Sequence, residues 1–195
     1  MNRYYLICQW ITRFVYLNIL WVSFTIIGLG VFGLMPATSA MFAVVRKWVS
    51  ANKDIPIFAT FWRTYKTEFK LSNFAGFFFF SSGYLLIIEL RILFGQEQMI
   101  YLFGVAGVVI LLFVLGIIVL YFFPVFVHYE LSLANYVKWP FILAMVHPLM
   151  TGFLLVSLAS IYYFIYSTIP ILLFLFGGSV TAISLHGVYR KRLNM

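Results

Sequence analysis

The sequence predicts an all-α, polytopic bundle of transmembrane helices, and three observations carry that prediction. Hydrophobic residues make up 64% of the chain and charged ones only 9%, against roughly a quarter charged in an ordinary soluble domain. The mean hydropathy is +1.04. The apolar residues fall in long runs, of the roughly 20 residues that cross a bilayer as a helix, and the charges collect between them. A chain of 195 residues has too much surface for its volume to hide that much apolar area from water, so lipid is the solvent consistent with it.

About five spans follow in order: Phe14–Met35, Asn73–Phe94, Met99–Phe123, Leu149–Tyr166 and Ile169–Gly187. Gly95-Gln-Glu-Gln98 joins the second to the third, and Ser167-Thr168 joins the fourth to the fifth. Turns that short make antiparallel hairpins, and neither carries Lys or Arg. Basic loops stay in the cytoplasm, so these turns are expected outside. Residues 36–72, the Lys138 region and the C-terminal Arg190-Lys191-Arg192 are expected inside. Five spans then place the N-terminus outside, against the charges of Arg3 and Arg13. A second solution ends the first run at Gly28-Leu-Gly-Val-Phe-Gly33 and Pro36 and turns Ala37 to Val45 back as a re-entrant piece, with the N-terminus inside. The ten residues from Ala37 to Arg46, at 1.5 Å each, are too few to cross, so this solution needs a half-span buried against protein. The whole chain, 1–195, reads as one transmembrane domain of a plasma-membrane protein.

Residues 36–72 hold Arg46, Lys47, Lys53, Arg63, Lys66 and Lys70. Met41, Val44, Val45 and Trp48 recur at helical spacing, which predicts a short amphipathic helix over 39–50. Asn52-Lys-Asp-Ile-Pro56 breaks it. Phe58, Phe61, Trp62, Tyr65 and Phe69 then form an aromatic stripe beside a ridge of Arg63, Lys66 and Lys70, the pattern of an interfacial helix. These two inner-face helices offer a basic and aromatic surface to the inner leaflet or to a cytoplasmic partner. The net charge of +8 flanks hydrophobic runs and predicts no nucleic-acid binding.

Candidate chemistry is sparse. Glu89 and Arg91 are the charges inside a predicted span, and an intramembrane charge is by default a functional candidate. They lie near the outer end, where long side chains snorkel, and two positions apart on a helix they face different ways. His128, Glu130 and His147 are polar candidates of the inner side, with no metal-ligand spacing among them. The GxGxxG string at Gly28–Gly33 lacks the strand, helix and ribose-binding acid of a dinucleotide site and reads as a close-packing device. No catalytic set, metal or cofactor is predicted. The single cysteine, Cys8, forms no internal disulfide, and no signal peptide or lipidation box is expected.

Leu17-Asn-Ile-Leu-Trp21, Leu34-Met-Pro-Ala-Thr-Ser-Ala40, Val44-Val-Arg-Lys47, the Phe61–Phe69 helix, Phe123-Pro-Val-Phe-Val-His-Tyr129 and His147-Pro148-Leu149 together resemble the YesL-like family of bacterial integral membrane proteins. The resemblance covers almost the whole chain and implies a domain of unknown function. Members of that family are often encoded beside carbohydrate-uptake genes, including ABC-type sugar importers. It implies a non-enzymatic accessory component linked to carbohydrate uptake, with a sugar-importer permease or another membrane subunit as its partner. A small transporter or channel acting by itself, or as a homo-oligomer, is the alternative.

Overall fold

The computed structural model describes residues 3–50, 54–96, 98–128 and 133–146, with a few further positions between 148 and 163. Every regular element among the described residues is an α-helix: α1 (Arg3–Ile27), α2 (Val31–Val49), α3 (Ile57–Phe94), α4 (Ile100–His128) and α5 (Leu133–Val146). Three stretches are long and apolar enough to cross a membrane, Cys8–Ile27, Ile57–Phe94 and Ile100–His128. Of the expected spans, half of Leu149–Tyr166 lies outside the described residues and Ile169–Gly187 entirely so.

The first expected span is not one helix. The run from Phe14 to Met35 is divided by a tight turn at Gly28-Leu29-Gly30, and α2 returns antiparallel to α1. The turn has a local cause. Gly30 sits at φ 73° and ψ −82°, a γ-turn geometry that side chains disfavour, and the Val31 N–H donates to the Leu29 carbonyl at 3.0 Å. Gly28 and Gly33 then let the two backbones touch, since a Cβ on Gly33 would stand 2.5 Å from the Thr25 carbonyl oxygen. Further down the hairpin, Trp21 Nε1 donates to Thr38 Oγ1 at 3.0 Å, and Trp48 packs edge-on against Trp10 at 5.7 Å. The N-terminal part of α1 therefore lies at the same end of the bundle as Arg46 and Lys47, which the five-span parity had separated.

Helix α2 is the centre of the fold. It packs on α1, α3 and α4, and Gly33, Ala37, Ser39, Ala40 and Ala43 are all buried along it. Small side chains admit neighbours on several sides, the usual device for helix contacts in lipid. The stripe of Met41, Val44, Val45 and Trp48 is buried as its spacing predicts, but the helix that carries it begins at Val31 and runs through Pro36.

Helix α3 corrects a second expectation. The aromatic segment and the second span are one unbroken helix of 38 residues, about 57 Å at 1.5 Å per residue. Leu71-Ser72-Asn73 changes the polarity of the chain but contains no Gly or Pro to stop a helix. The aromatic stripe is only partly exposed: Phe24 of α1 sits among Phe61, Trp62 and Tyr65 with ring centroids 5.1 to 5.4 Å away. Helix α4 returns along the upper part of α3, where Phe79 meets Phe122 edge-on at 5.1 Å. It continues through Pro124, where the sequence suggested an end, and Pro124 itself is buried. Helix α5 folds back on α4 through Tyr136, 5.0 Å from Phe126.

Candidate functional site: a basic cleft at one end of the bundle

Four helix segments converge at the end of the bundle that carries the charges. The last turn of α2 brings Arg46 and Lys47, and the first turns of α3 bring Thr60, Arg63, Thr64, Thr67 and Glu68. The end of α4 brings Val127 and His128, and α5 brings Tyr136. Together they line an open cleft of about 900 Å³.

The local geometry follows from helix chemistry. Thr60, Arg63, Thr64, Thr67, Glu68 and Leu71 fall at i, i+3, i+4, i+7, i+8 and i+11, one face of a helix, and that face looks into the cleft. The Arg46 guanidinium donates to the backbone carbonyl of Val127, a main-chain oxygen of the last turn of α4 that has no partner within its own helix. Lys47 Nζ donates to Thr60 Oγ1 at 3.3 Å, which ties α2 to α3. Arg13 of α1 pairs with Asp54 just ahead of α3 at 2.7 Å. Cations and hydroxyls thus outnumber acids on the walls, with Glu68 the carboxylate among them. The arrangement suits an anionic group. Among the described residues, no three His, Cys, Asp or Glu side chains come close enough to hold a metal ion.

The residues singled out from sequence divide into groups. Arg46, Lys47, Arg63 and His128 line the cleft. Trp62, Lys66 and Lys70 lie outside it and are exposed, with Lys66 Nζ 4.8 Å from the centre of the Trp62 ring, a cation–π contact. Trp48 is buried against Trp10 and Phe14. Glu89 and Arg91 stand at the opposite end of α3, both exposed and forming no ion pair with each other. Glu130 and His147 lie outside the described residues. Thr60, Thr64, Thr67, Glu68 and Tyr136 escaped the sequence reading. The threonine spacing alone could have found the first three.

Residues 14–90 match the family described as "Protein of unknown function, DUF624", a stretch that includes the α1–α2 hairpin and the α2 and α3 walls of the cleft. Three relatives from Bacillus subtilis (strain 168), each named an uncharacterized protein, are similar over most of the chain. YteU is 35% identical over 147 residues, 75% of this chain and 66% of its own length. YesL is 35% identical over 178 residues, 91% of this chain and 83% of its own. YesV is 38% identical over 170 residues, 87% and 81% respectively. No solved structure matches the chain.

Proposed function

Since the chain belongs to the YesL-like, DUF624 family, we propose that it is a non-enzymatic accessory protein of the cell membrane that holds an acidic segment of a partner in its basic cleft. The partner is a membrane subunit of a carbohydrate importer of the ABC type. The observation that carries the docking is the cleft itself, where Arg46, Lys47 and Arg63 face one open volume with Glu68 as the lining acid. Complementary charge of this kind steers association and fixes register. The link to sugar import rests on the family resemblance alone. The cytoplasmic side of the cleft follows from the rule that basic ends stay inside.

The test is gentle solubilisation of the full chain from its native membrane and identification of what co-purifies. Recovery of a sugar-importer permease is expected, and the Lys47→Glu, Arg63→Glu double variant is expected to lower it at least about tenfold, the equivalent of 1.4 kcal/mol. Lys70→Glu, outside the cleft, should leave it unchanged. Equal recovery from all three proteins defeats the docking site. Sugar uptake by the purified chain alone in vesicles defeats the accessory role and establishes a transporter.

A further inference from the structure

We infer that the α1–α2 hairpin enters the bilayer from the basic end and does not cross it, so that its tip, residues 26–32, is solvated by lipid acyl chains.

Both legs are anchored at one end. Arg13 pairs with Asp54 at 2.7 Å, Arg46 holds the Val127 carbonyl and Lys47 reaches Thr60. The window Cys8–Ile27 has the length of a span, but it contains Arg13, so its charge-free part is Phe14–Ile27. The returning leg is charge-free from Val31 to Val45. At 1.5 Å per residue these legs measure about 21 and 22 Å, against a hydrocarbon core of about 30 Å. The hairpin is too short to bring its turn to the far interface.

The tip is built for that depth. Ile26, Ile27, Leu29, Val31 and Phe32 are 58 to 83% exposed, with Gly28 and Gly30 between them and no polar side chain. A turn that meets water needs polar groups, as Gln96 and Gln98 provide between α3 and α4. Irregular backbone is excluded from lipid when its N–H and C=O groups lack partners, and this turn supplies partners for five of its N–H groups from within. The N–H groups of Gly28, Leu29, Gly30, Val31 and Leu34 donate to Phe24, Ile26, Thr25, Leu29 and Gly30 at 2.8 to 3.0 Å.

Leu29 gives an independent reason. Among the described residues it is the non-glycine residue with positive φ, at 59°, a conformation that costs an L-residue about 1 to 2 kcal/mol. Being 83% exposed, its side chain gains little inside the described fold to offset that cost. Acyl chains give it an apolar environment.

The test uses the full chain with Cys8→Ser and single cysteines at Ser50, Leu29 or Gln96, reconstituted in phosphatidylcholine and phosphatidylglycerol vesicles. Membrane-impermeant maleimide is expected to label positions 50 and 96 from opposite faces and position 29 from neither. A nitroxide at position 29 should be relaxed by oxygen and at least about fivefold less by a water-soluble nickel chelate, the sign of immersion in lipid. Labelling of position 29 from the face of position 96 overturns the inference, because the hairpin then crosses. Labelling from the face of position 50 also overturns it, because the tip is then in water. Protection from both relaxing agents overturns it as well, since the tip is then covered by protein.

Discussion

The α1–α2 hairpin turns at Gly28-Leu29-Gly30 without a polar side chain, whereas the α3–α4 hairpin turns past Gly95 through Gln96 and Gln98. The first is held by backbone contact at Gly28 and Gly33 and by the Trp21–Thr38 hydrogen bond, and an ion pair at its open end ties α1 to the segment ahead of α3. The second is held by interlocking side chains, with Phe79 against Phe122 and the Leu93 methyls 3.3 Å from where a Cβ on Gly104 would sit. Both are apolar, and α4 is the most apolar helix of the four. The polarity of the turn and the nature of the contacts separate their chemistry.

Substitutions at glycine sharpen that contrast most. A Cβ on Gly33 would meet the Phe24 and Thr25 carbonyl oxygens at 2.7 and 2.5 Å, so Gly33→Val is expected to destabilise the fold by about 3 kcal/mol, read as a lower unfolding midpoint in detergent. On α4, a Cβ on Gly107 meets no atom within 4 Å, and Gly107→Ala is expected to gain up to about 1 kcal/mol from helix propensity. Equal losses at the two sites would erase the distinction. Trp21→Phe removes one partly buried hydrogen bond within α1–α2 and should cost about 1 kcal/mol. The smallest effect belongs to Arg13→Ala. Asp54 is 90% exposed, so a loss of about 0.5 kcal/mol is expected, vanishing in about 1 M salt; a large, salt-independent loss would show that the anchor acts through packing instead.

Much of the architecture is legible in the residues. The all-helical class follows from the apolar runs, the burial of Met41, Val44, Val45 and Trp48 from their spacing, and the α3–α4 turn from Gly95 and the glutamines. The α1–α2 turn is harder to read because it has no polar residue, so a count of hydrophobic length runs straight over it. Its glycines were visible, yet glycine spacing alone does not distinguish a straight packed helix from a reversal. The continuity of α3 is masked by the opposite effect. Asn73 marks a change of surroundings, and a helix is indifferent to surroundings while its backbone bonds continue. The cleft joins residues more than 80 positions apart, as Arg46 and Val127 are, and only packing brings such residues together. Thr60, Thr64 and Thr67 looked bland because their significance lies in what faces them.

The unbroken course of α3 has a mechanical consequence. Thr64 in the cleft and Phe94 at the far turn are joined by thirty residues of continuous helix, a rod of about 45 Å. A rod transmits rotation with leverage: a tilt of about 5° imposed at the cleft moves the far end by roughly 4 Å over that length. Arg63 and Thr64 in the cleft and the exposed Glu89 and Arg91 near the other end are thus carried by one continuous element. Those two charges sit where a tilt of that rod would displace the helix most.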